Sequence, residues 1–291
     1  MRQRTLDFSD HRRALGDNAY VYPVVSRRSK GLSVGVNLNP DGVCNFDCPY
    51  CQVDRRQAPL VVDVDLGLLE RELDSLLGLA ASGRLWVTPP FDTTAQQLRR
   101  VNDVAFAGDG EPTAFGGFHE ALRIAGRLLQ RHGLDEVTPV VLTNATLLHR
   151  PAVAEALRTL DDLGGRVWAK LDAGTEAWFQ FVAGTTTPLS RILRNLESCA
   201  EERPLVIQSM FLRFLGTGPS SAELDAWSDN LARIADRGVI ELVQVYSIAR
   251  PPARHGFTCL PRPELDDIAA RVSAIGLCVE VFEGRATKES S

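Results

Sequence analysis

The segment Asn39-Pro-Asp-Gly-Val-Cys44-Asn-Phe-Asp-Cys48-Pro-Tyr-Cys51-Gln52 places three of the chain's six cysteines within eight residues. Three thiolates at the spacing C-x3-C-x2-C can hold one iron–sulfur cluster from a single loop. A [4Fe-4S] cluster has four irons, so three protein ligands leave one iron open to a substrate or cofactor. An open coordination position distinguishes a reactive metal centre from a closed structural one.

Two other interpretations of the cysteine loop explain less of it. A zinc site needs a fourth ligand nearby, and the loop contains no histidine or further cysteine. A thioredoxin-like redox pair within residues 48–51 would leave Cys44 unexplained. In a cytosolic chain, the remaining cysteines fit small buried residues better than a disulfide framework. These scattered residues are Cys199, Cys259 and Cys278.

Around this loop, short β-rich runs alternate with helical ones. Residues 103–107, 139–142 and 205–212 have the composition of strands. In 63–80 and 119–130, apolar residues recur at helical spacing. About six β-then-α units follow one another, which predicts an α/β fold with a parallel sheet, open or closed into a barrel. In either form we expect functional residues at the carboxyl ends of the strands.

The cysteine spacing after the first predicted strand, with the aromatic Tyr50 just before the third cysteine, resembles the signature of the radical S-adenosylmethionine (SAM) superfamily. The resemblance covers roughly residues 30–285 and implies a partial (βα)6 barrel. It implies that Cys44, Cys48 and Cys51 bind a [4Fe-4S] cluster whose open iron binds the amino and carboxylate groups of SAM. It also implies that Tyr50 lies near the adenine.

The same resemblance implies a reaction. An electron from the cluster cleaves SAM into methionine and a 5′-deoxyadenosyl radical, which takes a hydrogen atom from the substrate. Such an enzyme needs an electron donor such as flavodoxin or ferredoxin.

The predicted organisation is an N-terminal extension (1–30), a radical SAM core barrel (31–285) and a disordered tail (286–291). Residues 1–30 carry seven basic and three acidic side chains, whereas the whole chain has a formal net charge of −5. The extension fits a solvated surface arm, or a contact with an anionic substrate or RNA. The net charge of the whole chain does not indicate a nucleic-acid binder.

The second predicted strand ends in the turn Gly108-Asp-Gly110-Glu111-Pro-Thr113. Glycines allow the backbone to approach a ligand closely, although such a turn alone would more often be a tight turn followed by a helix cap. It resembles the superfamily's G-G-E-P motif, in the G-x-G-E-P-T variant of wybutosine-type relatives, with Asp109 at a usual glycine position. The resemblance implies that Gly110 and Glu111 bind the ammonium group of SAM.

A later turn and the end of a later strand supply further candidates for SAM binding. Residues 143–147 (TNATL) resemble the T-N-G-T-L turn of the same families, which implies a role for Asn144 near SAM. By itself, Asn144 would more often be a simple turn residue. In the fourth predicted strand, the period of two places Lys170 and Asp172 on one face. These two groups could hold the carboxylate and ribose of SAM or pair with each other.

Candidates for substrate contact are Gln208, Gln244 and Arg250. The glutamines lie among apolar neighbours, and buried amides need hydrogen-bond partners, so each would line the cavity or satisfy a local backbone group. Arg250 lies in a turn similar to the R-P-P turn of the same subgroup. A fixed guanidinium suits a carboxylate or phosphate, and a structural salt bridge is an equal alternative.

The sequence shows no second cluster motif, no room for a cobalamin domain, and none of the extra N-terminal cysteines of wybutosine-type tRNA enzymes. Without a secretory signal or membrane-length apolar run, we predict a cytoplasmic protein. The resemblance implies an oxidoreductase, which we expect to act on a small molecule or nucleotide. The alternatives are modification of a macromolecule, such as a tRNA base or a glycyl-radical enzyme, and a non-enzymatic iron–sulfur protein. The sequence does not identify the substrate.

Overall fold

The computed structural model describes residues 18–26, 30–53, 55, 61–249, 252 and 254–284. The predicted tail 286–291 and the candidate Arg250 lie outside these residues. The chain forms two compact units. The first comprises the chain up to residue 43 with 59–142 and 151–166, and the second comprises 44–58, 143–150 and the chain from 167 onward.

Strands and helices alternate through most of the described residues, as the sequence predicts. The strands are β1 Val21–Ser26, β2 Gly31–Val36, β3 Val101–Phe106, β4 Thr138–Thr143, β5 Arg166–Lys170, β6 Leu205–Met210, β7 Leu212–Phe214, β8 Ile240–Tyr246, β9 Phe257–Cys259 and β10 Val279–Phe282. The α-helices are α1 Leu66–Ala81, α2 Phe118–Arg131, α3 Pro151–Asp162, α4 Glu176–Ala183, α5 Leu189–Glu202, α6 Ser221–Ala235 and α7 Arg262–Ala274.

The sheet of the first unit contains β1 to β4. Strands β2, β3 and β4 run parallel, and α1, α2 and α3 pack in the order of the chain. The apolar positions of α2 recur every three or four residues and are buried, which is the pattern of a helix packed along one face. At the start of α1, the side chain of Asp65 accepts a hydrogen bond from the backbone N–H of Leu68 (3.0 Å) and caps the helix.

Strand β1 precedes the predicted start of the core at residue 31 and pairs antiparallel with β2. The buried carboxylate of Glu72 on α1 fixes its beginning by accepting the backbone N–H groups of residues 19, 20 and 21 at 2.7, 2.9 and 3.0 Å. The backbone N–H of Asn37 donates to the carbonyl of Tyr20 (2.9 Å). Because such bonds alternate along an antiparallel pair, Pro23 lies where the backbone faces away from β2. The division into extension, core and tail stays a prediction.

The sheet of the second unit contains the parallel strands β5, β6, β8 and β10. One face packs against helices: its side chains, such as Ala169, Ile207 and Val243, are fully buried. On the same face, the indole N–H of Trp227 on α6 donates to Ser209 Oγ (3.1 Å). Strands β7 and β9 form a separate antiparallel pair.

Helix α6 holds the backbone of residues 171–175, which follow β5. The carboxylate of Glu223 accepts the N–H groups of residues 174 and 175, the latter at 2.9 Å. Trp227 donates to the carbonyl of residue 171 (3.0 Å) and Asn230 to that of residue 174 (2.9 Å). These three side chains lie on one face of the helix, so α6 fixes the segment that carries Asp172.

Candidate functional site

The three cysteines of the loop are each half-buried. The backbone N–H of Cys51 donates to the carbonyl of Cys48 (2.9 Å), which closes a tight turn, and the N–H of Phe46 donates to Cys44 Sγ (3.5 Å). Within the described ranges, no three His, Cys, Asp or Glu side chains gather as a metal site. The fit of a cluster therefore rests on the donor set, since three thiols on one short loop are the ligands that iron–sulfur clusters use.

Asn45, between the first two cysteines, ties the loop to the turn that follows β4. Its amide nitrogen donates to Thr146 Oγ1 (2.5 Å), and its amide oxygen accepts from Asn144 Nδ2 (2.6 Å). Asn144 is buried and also accepts the N–H of Thr146 (3.1 Å). The predicted SAM contact Asn144 therefore lies next to the cysteine loop and shares its hydrogen bonds with it.

Ala145, in the same turn, has a φ of 64°. This left-handed conformation favours glycine, which explains why the turn that it resembles carries glycine there.

Phe46 and Asp47 anchor the loop to the end of α4. The ring of Phe46 packs edge-on against Phe179, with 5.8 Å between centroids. The N–H of Asp47 donates to the carbonyl of Ala183 (3.1 Å). A side chain at Gly184 would collide with the Asp47 carbonyl, and the φ of Gly184 is +57°. Glycine at this position thus permits both the helix end and the close approach of the loop.

Tyr50 connects the loop to β5 and β8. Its buried hydroxyl donates to Asp172 Oδ2 (2.5 Å), which also pairs with Lys170 Nζ (3.0 Å). Lys170 in turn donates to the hydroxyl of Tyr246 (2.9 Å). The backbone N–H of Met210 donates to Asp172 Oδ1 (2.8 Å). The predicted neighbours Lys170 and Asp172 are therefore on one face and form an ion pair. The phenol groups of Tyr50 and Tyr246 are hydrogen-bonded to this pair.

The ionisation of this network follows from burial and charge. Burial, together with the Asp172 carboxylate, raises the pKa of Tyr50 well above its usual value. Burial opposes the charged form of Lys170, but Asp172 and Tyr246 hold its pKa above the usual range. Tyr50 therefore stays a hydrogen-bond donor and Lys170 stays a cation.

Charged neighbours also act on the thiols. Burial raises the pKa of Cys48 to about 12, while Lys170 acts in the opposite direction. Arg55 is close to the loop: burial opposes its charge, yet Cys51, Cys44 and Asp47 raise its pKa. Lys170 therefore offsets only part of the effect of burial on Cys48, and metal binding has to release the proton, because the thiolate is the form that binds metal.

The turn of residues 108–113 belongs to the first unit. Glu111 is 2% exposed and accepts from the N–H (3.2 Å) and hydroxyl (2.5 Å) of Thr113. Asp109, at the usual glycine position, accepts from Asn37 Nδ2 (2.8 Å) and donates its N–H to Asn37 Oδ1 (3.1 Å). A side chain at Gly110 would collide with the carbonyl of Val43, so this position requires glycine.

Gln208 and Gln244, the substrate candidates on β6 and β8, are both buried and contact each other. Gln208 Nε2 donates to Gln244 Oε1 (2.7 Å). The structure thus brings together the predicted residues of the second unit around the cysteine loop and β5, with Gln208 beside Lys170 in register. Gly110 and Glu111 lie in the other unit. The assignment of all these residues to ligands stays a prediction.

Sequence reasoning missed three residues that contact the predicted set: Asn45, Arg55 and Tyr246. Asn45 lies between two cysteines. Its partner Asn144 lies in the turn at 143–147, which the sequence pattern had already indicated. Tyr246 is two residues after Gln244, so the strand period would have placed both on one face. No local sequence signal marks Arg55.

The profile of the radical SAM superfamily matches residues 38–215. The chain belongs to the radical SAM superfamily. Its matched range contains the C-x3-C-x2-C motif of Cys44, Cys48 and Cys51. Membership identifies the protein as an enzyme whose cofactors are a [4Fe-4S] cluster and SAM.

Among curated proteins, the chain is similar to the UPF0026 protein of Helicobacter pylori strains 26695 and J99, with 26% identity over 146 residues. The match covers 48% of this chain and 39% of each relative. The GTPase Obg of Brachyspira hyodysenteriae is 24% identical over 160 residues, 55% of this chain and 20% of that protein. The chain therefore spans well under half the length of these relatives.

Two solved structures share the fold. A radical SAM methyltransferase from Sphaerobacter thermophilus superposes with a TM-score of 0.60 at 15% identity, over 93% of this chain and 71% of that one. A structure of TYW1 with a lysine–pyruvate adduct bound gives 0.52 at 15% identity, over 84% and 74%. At this identity the likeness shows the fold alone, and it confirms the predicted partial radical SAM barrel. In the described residues, no helix has the length and apolar character to cross a membrane.

Proposed function

We propose that Cys44, Cys48 and Cys51 bind the [4Fe-4S] cluster and that the enzyme abstracts hydrogen from a small-molecule or nucleotide substrate. When bound, the reduced cluster supplies the electron that breaks the C5′–S bond of SAM, giving methionine and a 5′-deoxyadenosyl radical. The observation that supports this most is that the cysteine loop is anchored by residues other than its cysteines. Asn45, Phe46, Asp47 and Tyr50 anchor the loop to the rest of the unit and hold it in place.

The residues around the loop have distinct proposed roles. Tyr50, Asp172 and Lys170 would form the polar wall against which SAM lies, because the two charges are fixed by mutual contact. Asn144 would orient the loop and contact SAM from the turn after β4. Gly110 and Glu111, on the resemblance of their motif, would bind the SAM ammonium group. An oxidoreductase of this kind would receive its electron from a flavodoxin or ferredoxin, in the cytoplasm.

The test is SAM cleavage by the reconstituted protein. The chain is loaded anaerobically with iron and sulfide, mixed with SAM and dithionite, and assayed for 5′-deoxyadenosine by mass spectrometry. We expect a product peak that disappears in Cys48→Ala. The matched control is Cys278→Ala, which removes an exposed cysteine outside the loop and should leave the peak unchanged.

Three results would contradict the proposal or its small-molecule form. If Cys48→Ala cleaves SAM like the wild type, this ligand set is excluded. A fully loaded cluster could also fail to bind SAM by equilibrium dialysis, which would exclude SAM chemistry at this loop. If SAM binds but is cleaved only after RNA is added, the substrate is a macromolecule, and the small-molecule form of the proposal is wrong.

A further inference from the structure

The sheet of the second unit carries three rows of side chains across its strands, on the face opposite to the buried helix-facing one. Residues paired in register on parallel strands point to the same face, and so do residues two apart on one strand. The rows are Trp168, Val206 and Leu242; then Lys170, Gln208, Gln244 and Glu280; then Met210, Tyr246 and Phe282.

The middle row is polar on all four strands, and mostly apolar rows lie on either side of it. On the opposite face of the same strands, most side chains are apolar and buried, as at Ala169, Ile207 and Val245. Polar groups inside a sheet layer are costly unless they are hydrogen-bonded. The side chains of the middle row therefore need hydrogen-bond partners.

The two glutamines of the row satisfy only part of each other's hydrogen-bonding capacity. Gln208 Nε2 donates to Gln244 Oε1 (2.7 Å), and the side chains are 1% and 2% exposed. Across the chain segments that the structure describes, Gln208 Oε1 and Gln244 Nε2 have no protein partner. The buried pair therefore presents one acceptor and one donor side by side.

Trp168 adds a second unpartnered donor on the same face. Its indole Nε1 is buried and, in the described part of the protein, makes no hydrogen bond. It lies one row away from Lys170, whose ammonium group is held by Asp172 and Tyr246. The ammonium group of Lys170 is thus paired. In contrast, Gln208 Oε1, Gln244 Nε2 and the indole N–H of Trp168 are available to bond to a ligand.

We infer that this row binds the substrate, and that the substrate presents a planar edge with an N–H beside an acceptor, as in a carboxamide, a lactam or a nucleobase. Such an edge matches the acceptor of Gln208 and the donor of Gln244, in the way that a glutamine pairs with a base edge through two bonds. The flat faces of the ring or amide would contact the rows of Trp168 and Tyr246. This rests on the proposed function and names its substrate class.

The binding test uses the reconstituted protein and four probes: nicotinamide as a carboxamide, uracil as a lactam, adenine as a base, and benzyl alcohol as a flat compound without the edge. Equilibrium dialysis is carried out anaerobically with SAM present. We expect at least one of the first three to bind, and benzyl alcohol not to bind. Comparison of nicotinamide with uracil and adenine separates a carboxamide source from a ring source.

The decisive variant is Gln244→Met, which keeps the volume of the side chain and removes its donor. Because the partner groups then lose their hydrogen bonds, we expect probe binding to weaken about tenfold or more. Gln208→Met should do the same. The control is Gln130→Met on α2, an exposed glutamine in the other unit, which should change nothing. Iron content and circular dichroism confirm that each variant is folded and loaded.

Three results would overturn the inference: no probe binds to the wild type at millimolar concentration, probe binding is unchanged in both glutamine variants, or the variants lose SAM affinity to the same degree. The last would assign the row to the adenine of SAM. Failure of the proposed function is distinguishable, because the loaded protein would then produce no 5′-deoxyadenosine while probes still bound in a glutamine-dependent way.

Discussion

In the cysteine loop of the second unit, the residues that anchor the backbone alternate with the cysteines, whereas in the turn of residues 108–113 the carboxylates themselves are the anchors. Asn45, Asp47 and Tyr50 hold the loop to the turn after β4, to α4 and to β5. In the other turn, Asp109 is bonded to Asn37 and Glu111 to Thr113.

The difference shows how each motif should respond to mutation. Where ligand and anchor are separate residues, chemistry and stability can be lost one at a time. Where one carboxylate does both, a substitution should reduce ligand affinity and stability together. The five predictions that follow test this contrast.

The largest effect is expected for the cysteines. Cys44→Ala, Cys48→Ala and Cys51→Ala should each abolish cluster loading, because two thiolates cannot replace three. The unfolding free energy of the metal-free protein should change by less than about 1 kcal/mol, since surface-near substitutions outside the core cost little. Iron and sulfide content and urea unfolding measure the two quantities. A single variant with a full cluster would show that the ligand set is wrong.

Asp172→Asn should give the largest loss of stability. It leaves Lys170 without its carboxylate and weakens the bond to Tyr50. Removing one partner of a buried ion pair costs about 3 kcal/mol. Urea unfolding of the metal-free protein measures it.

The matched control for this substitution is Asp266→Asn, in the exposed pair with Arg262 on α7, which should change stability little. Equal effects of the two variants would mean that the network around Tyr50 does not anchor the loop.

Glu111→Ala tests the turn in which one residue has both tasks. It should weaken SAM binding about tenfold while the cluster stays intact. It should also lower the unfolding free energy by about 1–3 kcal/mol, because the buried groups of Thr113 lose their acceptor. SAM dialysis and urea unfolding are run on the same preparation. Unchanged SAM affinity would show that Glu111 does not bind SAM. A loss of SAM affinity without a loss of stability would show that Glu111 does not combine the ligand and anchor roles, so the two motifs would not differ in this respect.

Asn45→Ala should affect stability alone. It removes the two hydrogen bonds to Asn144 and Thr146, and at an exposed position this costs about 1 kcal/mol. Iron content after reconstitution should equal that of the wild type. A loss of cluster would mean that anchor and ligand roles are not separate within the loop.

Asp109→Gly should have the smallest effect, because it restores the usual glycine of the motif and removes the side-chain hydrogen bond with Asn37. We expect a stability change within about 1 kcal/mol and unchanged SAM affinity. A large loss of SAM affinity would show that Asp109 itself binds a ligand.

Most of the fold could be predicted from the sequence because its elements are long enough for periodicity to decide. Helix α2 and helix α5 show a clear apolar stripe, and the strands between them are short β-branched runs. The predicted bounds of α1 and α2, 63–80 and 119–130, differ from the observed ones by three residues or fewer.

The elements that could not be predicted depend on partners elsewhere in the chain. Strand β1 is set by pairing with β2 and by the carboxylate of Glu72, which lies 52 residues after Tyr20 in sequence. Helix α4 has an aromatic-rich sequence typical of strands, and it forms between a Thr175 cap and Gly184. Strands β7 and β9 have three residues each and pair with one another.

In the site, too, contacts between distant parts of the chain could not be predicted from the sequence. The cysteines are local in sequence, and the period of two was enough to place Lys170 with Asp172. The partnership of Gln208 with Gln244 depends on the register between β6 and β8, which no local pattern specifies. The hydrogen bonds of Asn45 likewise join residues about a hundred positions apart.

Pro23 has a consequence for how the protein behaves at high concentration. Strand β1 ends the sheet order of the described strands, and an exposed edge strand can template the addition of a strand from another molecule. At the position where β1 faces away from β2, Pro23 has no N–H to offer, which interrupts the ladder that such an addition would need. We therefore expect intermolecular sheet growth, and the aggregation that follows from it, to be blocked at this edge.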